Sequence, residues 1–159
     1  MATIEQPVRL EFGTSRDLDS VMEVMVQAFG TRYGEAWTRS QCAGILPMSG
    51  VSLMLARDAE RGRPIGFSLF RSVADEAELL LIAVLPNRHR EGIGRLLLDH
   101  FLERAQADGV SRVHLEVRER NPAIAMYRAA GFEPVGRRRK YYHGEDGREF
   151  DALTFARSI

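Results

Sequence analysis

The longest uninterrupted apolar run, Leu79-Leu80-Leu81-Ile82-Ala83-Val84-Leu85, predicts a strand buried on both faces. Pro86 stops its ladder because it has no N–H to donate. A polar stretch, Asn87 to Glu91, leads into Gly92-Ile93-Gly94 and an amphipathic helix. Ile93, Leu96, Leu97, Phe101 and Ala105 share one face of that helix at a period of 3.6, and Gly109 is placed to end it in a left-handed conformation.

The rest of the chain arranges itself around this unit. Val8 to Phe12 alternates as a first strand. Ser15 is the expected N-cap of a helix whose face is Leu18, Val21, Met22, Met25, Ala28 and Phe29, closed by Gly30. Thr31 to Trp37 is irregular, and a second helix is predicted over Thr38 to Leu46, stopped by Pro47. Val51–Ala56 and Pro64–Val73 read as strands about a turn at Asp58–Gly62, forming an antiparallel meander with the long apolar strand. Val113–Val117 is a fifth strand, expected to be parallel to the long one through a right-handed crossover. A short helix over Ala123–Ala130 ends at Gly131, and Phe132–Arg138 and Phe150–Ala156 close the chain. The order βααβββαβαββ predicts an α/β fold: one domain over residues 1–159, with a mixed central sheet and helices on both faces.

Composition narrows the function. Lysine plus arginine and aspartate plus glutamate each number 22, so the formal net charge is zero and broad electrostatic binding to nucleic acid or an anionic membrane is not expected. Cys42 is the only cysteine, which excludes an intrachain disulfide and fits a reducing, cytoplasmic compartment. Met1 to Val8 lacks the apolar core of a signal peptide, and no apolar run approaches a membrane span. His89, His100, His114 and His143 are scattered without metal-ligand spacing, so no metal is expected.

Two places carry candidate chemistry. A strand feeding a glycine turn into a helix presents unpaired N–H groups and a partial positive charge, which suits a phosphate. Arg88, Arg90 and Arg95 agree in sign. The P-loop's Gly-Lys-Ser/Thr is missing, and Leu97 stands where a dinucleotide fingerprint needs its third glycine. Gly-x-Gly alone also describes a plain strand-to-helix turn. The second place is Glu116, a carboxylate among apolar strand neighbours, with Tyr127 eleven residues further on. A carboxylate can accept a proton and a phenol can donate one, the pair that general acid–base catalysis needs. A backbone N–H at Ala83 or Val84 could stabilise an oxyanion beside them. Otherwise Glu116 is an edge-strand residue paired with Arg118 or Arg112, and Tyr127 is a core aromatic.

His89-Arg90-Glu91-Gly92-Ile93-Gly94 resembles the Gln/Arg-x-x-Gly-x-Gly/Ala pyrophosphate loop of the GNAT acetyltransferases, with His89 departing at the first position. AELLLIAVLP, REGIGRLLLDHFLE, HLEVRERN, AIAMYRAAGF and RRRKYYHGEDGREFDALTFA resemble the RimI-type ribosomal-protein-alanine N-acetyltransferases of that superfamily, as does the segment from Trp37. The resemblance implies the GNAT fold and acetyl transfer from acetyl-CoA to an amine, either a protein N-terminal alanine or a small molecule; a non-catalytic acyl-CoA-binding domain is the rival of another class. It implies Glu116 as general base and Tyr127 as general acid. Ile82, Ala83 and Val84 would hold the acetyl and pantetheine groups, His89, Arg90, Glu91, Gly92, Ile93, Gly94 and Arg95 the pyrophosphate, and Asn121 a further part of the cofactor. Tyr141, Tyr142, Glu145 and Asp146 would line the acceptor groove; a solvated hairpin with charge on its exposed face is the other reading of that stretch.

Overall fold

The structure, a computed structural model, describes residues 7–159. Most of the N-terminal stretch read for a leader, Met1 to Gln6, lies outside the described residues. Among the described residues the strands β1 (Val8–Gly13), β2 (Val51–Asp58), β3 (Pro64–Val73), β4 (Glu76–Val84), β5 (Arg112–Arg118), β6 (Glu133–His143) and β7 (Glu149–Ser158) form one sheet in the order β1-β2-β3-β4-β5-β7-β6. The helices are α1 (Leu18–Phe29), α2 (Arg39–Ile45), α3 (Ile93–Ala107) and α4 (Ile124–Ala129). Only β4 and β5 pair in parallel, across α3; the other pairs are antiparallel. The element order is the one the sequence predicts.

Each face of the sheet has its own core. Leu53, Leu55, Phe67 and Leu69 pack with Val21, Val24 and Met25 of α1 and Cys42 of α2. Met54, Ala56, Phe70, Val113, Leu115 and Phe155 pack with Leu97, Leu98 and Phe101 of α3 and Tyr127 of α4. Alternation along each strand divides these residues between the two faces.

β4 breaks that alternation. Leu69 stands opposite Leu81, but the next residue, Phe70, stands opposite Leu79, so Leu80 is an extra residue. A bulge of this kind reverses which face the following side chains take. Accordingly Ala77 and Leu79 pack on the α3 side, whereas Leu81 and Ala83 pack on the α1 side. The parallel ladder to β5 ends at the same point: its last pair is Leu79 with Leu115. Beyond it β4 and β5 separate, and β4 from Leu80 to Val84 has a backbone edge that β5 does not pair.

Three local expectations change. Thr14 caps the first helical turn, Ser15–Asp17, as its side chain accepts from Arg16 N and Asp17 reaches back to Thr14 N; Ser15 lies inside that turn. In α3, Leu98 is buried and Leu96 is 41% exposed, so the apolar stripe takes Leu98 in place of Leu96. β4 is not buried on both faces: Ala77, Leu79, Leu81 and Ala83 are buried, and Leu80, Ile82 and Val84 between them are only half-buried. The last two lie beside the gap to β5.

Candidate active site

The separation of β4 from β5 opens a cleft of about 680 Å³, a size that suits a small-molecule ligand. Ile82, Ala83 and Val84 line it from β4, Glu116 from β5, and Tyr127 from α4. His89, Arg90, Gly92, Ile93, Gly94 and Arg95 line it from the glycine loop and the start of α3, and Asn121, Tyr141 and Tyr142 line it as well. The two candidate reacting side chains and the glycine loop, distant in sequence, therefore share one cavity.

Backbone polarity along β4 follows from one bond. Leu85 N donates to Ile65 O of the β3 side at 2.9 Å. In an antiparallel pair, residues alternate in the side to which their N–H and C=O point. The N–H of Ala83 therefore serves the β3 ladder, while those of Ile82 and Val84 turn toward the gap. His89 agrees with this: its Nε2 lies 3.1 Å from the carbonyl oxygen of Val84 and must donate to it. Of the two backbone groups considered from sequence, Ala83 and Val84, only the Val84 N–H faces the gap.

In the glycine loop, Arg90 and Gly92 both have positive φ, +69° and +78°. That compresses the turn before α3. Gly92 is the cap of α3, so the N–H groups of Ile93, Gly94 and Arg95 are first-turn donors without intrahelical acceptors. A Cβ on Gly94 would sit 3.4 Å from Met126 Sδ, which makes this a close approach of α3 to α4. The charges behave differently from their first appearance. Arg88 is turned inward, its Nε 2.6 Å from Glu91 Oε2 and its Nη1 3.8 Å from Asp58 Oδ2. Its hydrogen bond to Glu91 is the main cause holding its pKa above the ordinary value. Glu91 is thus occupied by Arg88 and is not among the residues lining the cleft. Arg95 pairs with Asp99 at 2.8 Å.

Glu116 Oε1 lies 2.9 Å from Nε of Arg138, which reaches it from β6 across β7. Neither Arg118 nor Arg112, the partners considered from sequence, is the one it pairs with. Tyr127 is buried, and burial is the first cause of a phenol pKa far above its ordinary value, with Tyr142 and Glu35 adding to it. Tyr142 is raised in the same direction, first by burial and then by Glu35 and Glu116, against an opposing contribution from Arg118. Both phenols hold their protons at neutral pH.

Sequence reasoning missed Glu35. It lies in the irregular segment after α1, lines the cleft, and is 11% exposed. Its Oε2 accepts from Asn121 Nδ2 at 2.8 Å, and its Oε1 lies 3.1 Å from Arg118 Nε. Asn121 Oδ1 in turn accepts from Ala123 N at 2.8 Å. Tyr33 and Trp37 of the same segment also line the cleft. Glu145 and Asp146 do not: they sit at the β6–β7 turn, where Asp146 pairs with Arg148 and Glu145 N donates to Thr31 O. Asp151 is bound by Arg137 and by Lys140 N, and the Lys140 amide is the first cause of its lowered pKa.

Residues 18–132 match the acetyltransferase (GNAT) family. The chain belongs to the GNAT acetyltransferase family. It is an acetyl-CoA-dependent N-acetyltransferase. The [ribosomal protein bS18]-alanine N-acetyltransferase of Escherichia coli K12 is 43% identical over 101 residues, which cover 63% of this chain and 68% of that protein. The crystal structure of the E. coli ribosomal-protein-S18-alanine N-acetyltransferase superposes with a TM-score of 0.85 at 30% identity, covering 96% of this chain and 94% of the other. A mycothiol acetyltransferase of Clavibacter michiganensis is 41% identical over 81 residues, half of this chain but 26% of that protein. Among the described residues no group of three or more histidine, cysteine, aspartate or glutamate side chains could hold a metal ion, and no helix is long and apolar enough to cross a membrane.

Proposed function

We propose that this acetyltransferase transfers the acetyl group of acetyl-CoA to the N-terminal alanine amine of a ribosomal protein, by direct attack, with Glu116 as base and Tyr127 as acid. The observation that carries the reading is the cleft itself. The Glu116 carboxylate and the protonated phenol of Tyr127 line the cavity that the glycine loop and the unpaired edge of β4 also line. The residues present fit acetyl-CoA: the first-turn amides of α3 suit the pyrophosphate, and the gap-facing N–H groups of Ile82 and Val84 suit the pantetheine and the thioester oxygen.

A peptide α-amine has a pKa near 8, so roughly a tenth is neutral at pH 7 and a carboxylate that takes its proton promotes attack. The nitrogen forms its bond to the acetyl carbon, the carbon–sulfur bond breaks, and the thiolate needs a proton. Tyr127 carries one. Burial makes that phenol a weaker acid, and a thiolate leaving into the same cleft is made more basic by desolvation, a shift in the same direction. Val84 N–H would stabilise the oxyanion.

The alanine-terminal acceptor rests on similarity to the E. coli enzyme over 63% of the chain and on the likeness of the folds. A small-molecule amine is the second reading, favoured by the mycothiol acetyltransferase match; that match covers only 26% of the other protein, so it supports shared transfer chemistry more than a shared acceptor. The deciding experiment is mass spectrometry of ribosomal proteins from a strain lacking this gene. The expected result is an unmodified alanine terminus, acetylated again when the gene is restored. Unchanged termini, with turnover of small amines by the purified enzyme, would move the assignment to the second reading. Glu116→Gln and Tyr127→Phe are each expected to lower kcat by about a hundredfold or more.

A further inference from the structure

We propose that Glu35 is a positioning residue for acetyl transfer: its carboxylate ties the end of β5, which carries Glu116, to the start of α4, which carries Tyr127. The proposal rests on the acid–base reading above and adds the element that fixes the distance between the two groups.

β5 and α4 are joined by a short turn, in which Asn121 N donates to Arg118 O at 3.1 Å and Ile124 N to Asn121 O at 3.0 Å, and no ladder holds one element to the other. Glu35 comes from a third element and meets both. One oxygen faces Arg118, two residues beyond Glu116 on the same strand. The other accepts from Asn121, whose own side chain then accepts from Ala123 N, directly before α4. Arg118 cannot readily find another partner. It is 7% exposed, its Cζ lies 3.6 Å from the Tyr33 ring, and its Nη1 donates to Glu119 O at 2.8 Å. The Glu35–Arg118 contact is an ion pair without hydrogen-bond alignment at Nε, whereas the Asn121 bond is well formed. The charge therefore holds the β5 side and the hydrogen bond holds the α4 side.

The loop that presents Glu35 is fixed independently. Glu145 N donates to Thr31 O at 3.2 Å. A Cβ on Gly34 would come within 2.1 Å of His143 O, so the loop backbone lies flat against the β6–β7 hairpin. A change at residue 35 removes the tie while the loop remains seated. A misplacement of about 1 Å at a reacting pair can cost on the order of a hundredfold in rate.

The test uses the full-length enzyme, acetyl-CoA, and whichever acceptor the wild type turns over, either an alanine-terminated peptide or a small amine. Glu35→Gln keeps the hydrogen bond from Asn121 and loses the charge; Glu35→Ala loses both. Expected are a fall in kcat of roughly tenfold for Gln and a hundredfold for Ala, with KM for acetyl-CoA and for the acceptor each within about twofold. In a Glu116→Gln background the further loss from Glu35→Gln should shrink toward none, because the base it positions is gone. An undiminished further loss there, a raised acceptor KM with kcat intact, or wild-type kcat in Glu35→Ala would overturn the proposal. If Glu35→Ala does not fold, Glu35→Gln carries the test, and failure of both to fold assigns the residue to stability instead. Wild-type rates in Glu116→Gln and Tyr127→Phe would sink the acid–base reading itself, a result distinct from any of these.

Discussion

The Glu116 carboxylate is held 2.9 Å from the Arg138 guanidinium, and the two belong to strands that do not touch. β7 lies between them, with Thr154 opposite both Glu116 and Gly136. The arginine is 62% exposed and the carboxylate 21%, so water screens the pair. Exposed pairs contribute about 0–1 kcal/mol. Arg138→Met should therefore change kcat/KM by less than about fivefold, since about 1.4 kcal/mol is needed for a decade. Glu116→Gln should cost about a hundredfold or more. Steady-state rates on both variants check this. A loss in Arg138→Met as deep as that in Glu116→Gln would put the arginine in the reaction itself.

Gly92 and Gly62 offer a matched pair. Their φ values are +78° and +70°, and a Cβ at either would meet nothing within 4 Å. Alanine at either site incurs only the left-handed strain, about 1–2 kcal/mol. Both variants should lose similar thermal stability. Only Gly92→Ala should weaken coenzyme A, because Gly92 caps α3 at the cleft and Gly62 lies in the β2–β3 turn. KM for acetyl-CoA is expected to rise by up to about thirtyfold, the most that ~2 kcal/mol of strain can cost in binding, with kcat little changed. Calorimetric titration of coenzyme A into both variants reads the difference directly.

Local patterns were legible and tertiary ones were not. The order of elements followed from periodicity, and Gly92 to Gly94 stood out because glycine before a helix is a backbone signal. The bulge at Leu80 had no such signal: Leu79, Leu80 and Leu81 are identical side chains, so which one is extra depends on β3 opposite. Leu96 and Leu98 flank Leu97 on the helix, and only the slope of the sheet beneath decides which is covered. Glu35 lay in a segment with no period at all. Its importance comes from Arg118 and Asn121, more than eighty residues away. Arg138 reached Glu116 from two strands over, a distance that sequence spacing does not encode.

His100 gives stability a pH dependence. Its ring packs against Phe12 and Phe70, and its Nδ1 is buried without a partner. Burial is the first cause of a lowered pKa; Arg104 adds to it and Glu103 opposes it. The unfolded chain takes up a proton here near pH 6.5, before the folded chain does. Between those two values the unfolded state binds more protons, so stability falls as pH drops below about 6.5. Thermal melts at pH 7 and pH 5 should show a smaller loss in His100→Leu than in the wild type. Equal losses would mean that carboxylates elsewhere account for all of the acid sensitivity.

Adjacent prolines on β4 separate its two edges. Ala83 N–H belongs to the β3 ladder, and Val84 N–H faces the gap, by the alternation that Leu85 N to Ile65 O sets. Ala83→Pro removes a ladder bond inside the sheet, a change that costs about 3 kcal/mol or more, and should melt well below the wild type. Val84→Pro removes no ladder bond, and the extended residue before it already has the conformation a following proline requires. It should fold with a near-normal Tm. If Val84 N–H stabilises the oxyanion, kcat in this variant should fall by about a hundredfold to a thousandfold. KM for acetyl-CoA should move far less, because the donor matters most when the charge develops. A folded Val84→Pro enzyme with undiminished kcat would show that the thioester oxygen is stabilised by some other group, and Ile82 N–H, the next donor facing the gap, would be the place to look.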